Sequence, residues 1–137
     1  MATNRMNVLF FLIPKNQVAY VEEHFTVRQV IEKMEHHHYS AIPILTKGGH
    51  YLATISEGDL LWFMKNNNVK FEDTNSIPLK AVPINKVIKP ISIDNGIDAI
   101  VSLISNQNFV PVEDDRGLFI GIVTRKSVID YLKKLIK

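Results

Sequence analysis

The sequence contains no cysteine, which removes disulfide frameworks, thiolate nucleophiles and Cys-ligated zinc from consideration together. It also has no long hydrophobic run. The apolar stretch near the start, Val8-Leu9-Phe10-Phe11-Leu12-Ile13, stops at Pro14, far short of a membrane span and with no small-residue cleavage site behind it. A buried opening segment packed on the second half of the chain is the expectation. Charge of one sign is scarce as well: sixteen Lys and Arg against fourteen Asp and Glu leave +2, without the dense basic stripe that non-specific nucleic-acid binding needs. Low-complexity tracts are missing, and 46% hydrophobic with 22% charged residues is a globular balance. Neither nucleic acid nor membrane is an expected partner, and a cysteine-free chain fits a cytoplasmic location.

Catalytic and metal constellations are equally sparse. A hydrolytic site needs a nucleophile with its base or two paired carboxylates in a pocket, and Asp114-Asp115 reads as solvated turn chemistry instead. His36-His37-His38 sits where a helix ends, so its three side chains point in different directions and suit a helix C-terminus better than a metal. No catalytic residue and no metal ligand is expected.

What is present is a duplication. Residues 42–64 recur as residues 110–132 without a gap, at a constant offset of 68 (Pro43 against Pro111). Val27, Val30, Ile31 and Met34 follow helical spacing, as do Ile97, Ile100, Val101 and Ile104. Each helix runs into a short apolar strand holding a proline, Ala41-Ile42-Pro43-Ile44-Leu45 or Phe109-Val110-Pro111-Val112. Such a proline lacks a donor and belongs at an edge or bulge. Polar turns at Lys47-Gly48-Gly49-His50 and Asp114-Asp115-Arg116-Gly117 lead into second strands, Tyr51 to Ile55 and Leu118 to Val123. Second helices follow, with Leu60, Leu61 and Met64, or Val128, Ile129, Leu132, Leu135 and Ile136, expected on their inner faces. Lead-in strands are expected at Val18–Val21 and Ile91–Ile93.

The unit is therefore α-β-β-α, built twice in an α+β fold: a first repeat over 1–65, a polar, proline-punctuated linker over 66–82, and a second repeat over 83–137. Each half is too small to bury a comfortable core alone, so the two should fold as one module.

With Tyr39-Ser40-Ala41-Ile42-Pro43-Ile44, its partner Asn108-Phe109-Val110-Pro111-Val112, and the paired stretches Ala53-Thr54-Ile55-Ser56-Glu57-Gly58-Asp59 and Gly121-Ile122-Val123-Thr124-Arg125-Lys126-Ser127, the chain resembles the cystathionine-β-synthase (CBS) domain family. There, two repeats pair about a pseudo-twofold axis into a Bateman module. The resemblance implies adenine-nucleotide binding in the clefts between repeats, no catalysis, a flat homodimer formed through helices, and regulation of an unidentified protein in trans. It is strongest to small stand-alone bacterial modules that bind cyclic di-AMP, which share the lead-in around Val18 to Val21, the Tyr39-to-Pro43 strand and the Thr124-Arg125-Lys126 loop, but carry lysine where this chain has Gln17.

Gln17, Val18, Ala19, Tyr39, Ser40, Ala41, Pro43, Thr124, Arg125, Lys126 and Ser127 form the candidate nucleotide site, and Ser56, Asp59, Ile91, Phe109 and Pro111 a second possible cleft. An adenine ring needs a flat apolar slot and a strand edge, which Val18 and Ala19 would supply. Tyr39 and Ala41 suit either a ligand wall or plain core packing. Thr124 stands where strand passes into helix, so its hydroxyl and the first free N–H groups make a phosphate seat, or simply a cap. Arg125 and Lys126 add positive charge, the guanidinium being able to grip phosphate bidentately, or are simply solvated surface charges.

The first repeat differs. Its Ser56-x-x-Asp59 matches the family's ribose position and equally reads as a capping box, while Glu57 would repel a phosphate. Ser127 replaces that aspartate in the second repeat. Losing a carboxylate that accepts from hydroxyls forfeits about 1.5–3 kcal/mol for a free ribose diol, and less for a ligand whose 3′ oxygen is esterified. The ligand expected at Thr124 is therefore an adenine nucleotide, with cyclic di-AMP preferred over AMP or ATP. A ligand-free interaction and dimerisation module is the alternative.

Overall fold

The computed structural model describes residues 8–84 and 88–136. Residues 1–7 of the expected first repeat, and 85–87 and 137 of the second, lie outside the described residues.

In chain order the elements are α1 (Val8–Phe11), β1 (Ile13–Pro14), a 3-10 turn (Lys15–Gln17), β2 (Val21–Glu22), α2 (Val27–His37), β3 (Ala41–Leu45), β4 (Tyr51–Ser56) and α3 (Glu57–Asn66). Two further 3-10 turns, Phe71–Ser76 and Leu79–Ala81, lead to β5 (Ile91–Ser92), α4 (Ile97–Ile104), β6 (Phe109–Glu113), β7 (Phe119–Thr124) and α5 (Arg125–Ile136). This is an α+β fold of two α-β-β-α repeats, each with a short lead-in strand.

Local chemistry explains the boundaries. Thr26 caps α2 reciprocally with Gln29, and the helix stops at His38, which turns left-handed at φ 56°. In the second hairpin Asp114 Oδ1 accepts from the backbone N–H of Arg116 at 2.8 Å and of Leu118 at 2.9 Å, closing the turn that Gly117 completes at φ 80°.

The duplication holds pair by pair. Ala41 faces Ser56 and Ile42 faces Ile55 in one hairpin; Phe109 faces Thr124 and Val110 faces Val123 in the other. Both ladders slip at one place, between Ile44 and Leu45 and between Val112 and Glu113. The lead-in strands run parallel to the first hairpin strands, Val21 beside Ile44 and Ile91 beside Val112. The prolines sit in central strands rather than at sheet edges. They are tolerated because β2 and β5 pair only with the far end of β3 and β6, leaving Pro43 and Pro111 beyond their reach.

By contact the chain divides into two compact units, Ala19–Ile88 and the described residues up to Val18 together with those from Lys89 onward. The first has a core of Val21, Val27, Val30, Ile42, Ile44 and Ile55, to which Leu79 and Val82 are added. The stretch expected as a linker is thus partly core. Arg28 fastens it to α2: Nε donates to Thr74 Oγ1 at 2.9 Å, Nη2 to the Phe71 carbonyl at 2.7 Å, and the guanidinium lies 3.7 Å from the Phe71 ring centre.

The second unit centres on Ile100, Val110, Val112, Val123 and Val128, with Val8 and Phe11 of the opening segment in the same cluster. That segment forms a helical turn whose Leu9 and Phe10 stay exposed, so it is buried on one side only. It continues into β1, which pairs antiparallel with β7, Ile13 opposite Ile122 and Pro14 opposite Gly121. A Cβ at Gly121 would stand 2.1 Å from the Ile13 carbonyl oxygen, and its φ of +154° also favours glycine.

Two further expectations change. The first lead-in strand is Val21–Glu22, not Val18–Val21, because Val18 closes the preceding 3-10 turn by donating to the Lys15 carbonyl. Of the residues expected on the inner faces of the second helices only Leu60 and Val128 are buried; Met64 is half-buried, and Leu61, Ile129, Leu132, Leu135 and Ile136 are exposed. Helical periodicity identifies an apolar stripe, but its width exceeds what each unit's own sheet covers.

Candidate functional site

In the second unit β7 delivers Thr124 to the start of α5. The Ser127 backbone N–H donates to Thr124 Oγ1 at 3.1 Å, the Thr124 hydroxyl donates to Ser127 Oγ at 3.0 Å, and Ser127 Oγ donates to the Thr124 carbonyl at 2.9 Å. Thr124 is therefore a helix cap, as one of the two sequence readings has it, and it brings its hydroxyl to the helix's positive end.

Arg125 is held from two sides. Its backbone N–H donates to the Asn108 carbonyl at 2.8 Å, and its Nε donates to the carbonyl of Ile104, the last residue of α4, at 2.7 Å. A C-terminal helix carbonyl is a good acceptor for a cation. Among the described residues the Nη groups take no partner, so the outer fork of the guanidinium is preorganised. Lys126 is different: its side chain is 85% exposed and Nζ lies 2.8 Å from Asp130, four residues on. That hydrogen bond, with the opposite charge behind it, raises the Lys126 pKa and lowers that of Asp130. Asn108, Thr124, Arg125, Ile129, Asp130 and Lys133 line an open recess of ≈ 520 Å³ with Lys126.

Gln17 is exposed on the 3-10 turn packed beside β7, and Val18 is buried behind it. Phe109 and Pro111 lie in β6, Ile91 in β5.

In the first unit Ala19 and Tyr39 meet: the Ala19 backbone N–H donates to the Tyr39 hydroxyl at 3.5 Å, and the ring packs partly on the core. Ser40 and Ala41 lie next to the start of α3, where the Glu57 N–H donates to the Ser40 carbonyl at 2.9 Å. Pro43 is buried in β3. Ser56 and Asp59 form a reciprocal capping box, the Asp59 N–H to Ser56 Oγ at 3.1 Å and the Ser56 N–H to Asp59 Oδ2 at 3.0 Å. A recess of ≈ 430 Å³ beside it is lined by Ile31, Met34, Glu35, His38, Tyr39, Glu57 and Leu60. Among the described residues no group of three or more His, Cys, Asp or Glu side chains could hold a metal ion.

Sequence reasoning missed three participants. The Ile104 carbonyl carries no side-chain signal at all. Asp130 was visible as an i,i+4 partner for Lys126. Gln107, the counterpart of Tyr39 at the 68-residue offset, has its Nε2 buried without a partner among the described residues, an arrangement that costs stability unless something accepts from it.

The chain belongs to the CBS domain family, whose model matches residues 12–66 and again 79–134. A conserved hypothetical protein from Geobacillus kaustophilus has 31% identity and a TM-score of 0.87, covering 96% of this chain and 98% of its own. The protein CbpB, solved in complex with c-di-AMP, has 26% identity and a TM-score of 0.84, over 95% of this chain and 86% of that one. CBSX2, solved with AMP, shares the fold alone, at 18% identity and a TM-score of 0.76 over 96% of this chain and 99% of its own. No curated protein sequence matches. No helix among the described residues is long and apolar enough to cross a membrane.

Proposed function

We propose that this protein is a non-catalytic regulatory module that holds an adenine nucleotide, preferring cyclic di-AMP to AMP or ATP, and relays its occupancy to a partner protein in trans. The observation that carries the reading is the Thr124–Arg125 corner. A hydroxyl at a helix N-terminus stands next to a guanidinium whose Nε is already tied to a carbonyl, leaving its Nη fork to meet phosphate oxygens. The likeness to CbpB, which binds c-di-AMP, supports the same ligand class. Preference for a cyclic dinucleotide follows from Ser127, whose hydroxyl is engaged with Thr124 and offers no carboxylate to a ribose diol. The adenine is assigned to Val18, Ala19, Tyr39 and Ala41, with Gln17, Ser40 and Pro43 alongside. Ser56, Asp59, Ile91, Phe109 and Pro111 form the second candidate set, with Glu57 disfavouring phosphate there. A ligand changes what a partner reads only if it favours one arrangement over another.

Calorimetric titration of the full chain with cyclic di-AMP, AMP and ATP tests this. Cyclic di-AMP is expected to bind most tightly, and tighter AMP binding sinks the preference. Arg125→Ala should weaken binding by about tenfold or more, in line with the loss of a charged hydrogen bond, whereas Lys126→Ala should change it by less than about threefold because an exposed pair already engages that ammonium. Equal losses from both variants contradict the assignment. A melting temperature unmoved by every nucleotide favours a ligand-free interaction module.

A further inference from the structure

We propose that Asn95-Gly96, in the turn between β5 and α4, is a site of spontaneous covalent modification, where Asn95 loses its side-chain amide to become aspartate and isoaspartate. Asparagine followed by glycine occurs nowhere else in the sequence. The reaction needs an uncrowded backbone nitrogen after the asparagine, a polarised side-chain carbonyl and a leaving group that nothing holds. All three are present. Gly96 is exposed, and even an added Cβ would meet nothing within 4 Å, so neither its own side chain nor a neighbour hinders ring closure. Asn95 Oδ1 accepts from the Ser92 backbone N–H at 2.9 Å, which polarises the carbonyl and stabilises the oxyanion formed when Cγ is attacked. Among the described residues Asn95 Nδ2 takes no partner.

The chemistry balances with water as the sole co-reactant. A bond forms from the Gly96 nitrogen to Asn95 Cγ, the bond from Cγ to Nδ2 breaks, and Nδ2 departs as ammonia with the proton that the Gly96 nitrogen gave up. Water then opens the succinimide ring at either carbonyl. Opening at Cγ leaves aspartate in an unchanged main chain. Opening at the backbone carbon leaves isoaspartate, whose main chain runs through Cβ and Cγ.

The two products act differently on the fold. Aspartate keeps an oxygen for the Ser92 N–H and places a negative charge just before α4, where the helix dipole favours it. Isoaspartate lengthens the main chain and moves the Asn95 backbone carbonyl into a free carboxylate. That carbonyl accepts the Val8 N–H at 3.3 Å, and Val8 is fully buried in the second core. Isoaspartate therefore loosens the start of the opening segment. Repeat one has no such reaction at the equivalent place: the Phe25 carbonyl accepts the Leu79 N–H at 2.9 Å just before the Thr26 cap, and phenylalanine has no amide to lose.

This inference stands apart from nucleotide binding. The full chain, held in warm neutral buffer, is sampled by peptide mapping with mass spectrometry, and an isoaspartate-specific methyltransferase is the probe for the isomerised form. The peptide carrying Asn95 should exchange NH2 for OH ahead of those carrying Asn66 to Asn68 or Asn75, and should become a methyl acceptor. At φ −94° with open space around it, Gly96→Ala keeps the fold and should slow conversion about tenfold or more, because a Cβ then crowds the attacking nitrogen. Equal rates in the two proteins, or earlier conversion at another asparagine, overturn the site. Amide exchange tests the consequence: the isoaspartate fraction, separated by ion exchange, should exchange the Val8 amide faster than fresh protein, whereas Asn95→Asp should match fresh protein. Equal Val8 protection in all three overturns the release of the opening segment.

Discussion

The two repeats share one ladder and differ at two places along the second hairpin strand. Its middle bears Ala53 in repeat one and Gly121 in repeat two; its exit bears Ser56-Glu57 in one and Thr124-Arg125 in the other. At Gly121 the opening segment crosses so closely that only a bare Cα fits. At the exit, both hydroxyls cap a helix, but one is followed by a carboxylate and the other by an anchored guanidinium. The scaffold is thus common to both repeats, while the residue that follows the capping hydroxyl is a carboxylate, Glu57, in one and a guanidinium, Arg125, in the other. The capped helix is the constant, and the next side chain decides what it attracts.

The largest expected effect breaks that comparison at its middle. Gly121→Ala should destabilise the chain by about 3 kcal/mol or more, because backbone and not a flexible side chain stands in the way. The reverse exchange, Ala53→Gly, should cost only about 0.5–1 kcal/mol. Urea unfolding of both variants checks this, and similar midpoints for the two would mean that the opening segment does not lock against β7.

A smaller effect concerns the strap on repeat one. Arg28→Ala removes two hydrogen bonds and a stacked ring, so a loss of about 2 kcal/mol is expected. Amide exchange should accelerate across Phe71–Ser76 first. If instead exchange rises uniformly over the chain, the guanidinium supports the whole fold and not this segment.

The smallest effects compare the caps. Ser56→Ala and Thr124→Ala should each lower stability by about 1 kcal/mol. Their consequences for ligand should diverge: Thr124→Ala weakens cyclic di-AMP binding, and Ser56→Ala leaves it within about twofold. Matching losses in titrations of both would erase the functional difference between the repeats.

Much of the fold was legible because its determinants are local. The 68-residue offset predicted the same order of helix, hairpin and helix in both repeats, and Asp114 and Gly117 announced their turn. The site was legible in part. Thr124 at a strand-to-helix passage could be placed from residue types alone, whereas Lys126 beside it read as a free cation until Asp130 was found to pair with it. The segment 66–82 reads as polar and proline-punctuated, yet Leu79 is almost fully buried, since its apolar residues are scattered among polar ones and too few in any one run to show a sustained period. Leu61 and Ile129 mislead in the opposite direction: a helical stripe looks the same whether its own sheet or another molecule covers it.

The amino-acid sequence alone determined the duplicated order of elements, the caps and the turns, because each depends on residues a few positions apart. The tertiary structure decided that Ile13 and Pro14 close the sheet of the second repeat, and that Leu79 and Val82 complete the core of the first. It also tied Arg125 to the Ile104 carbonyl, 21 residues away. Those outcomes rest on contacts between distant segments, where the space left by one element selects what the other can place there.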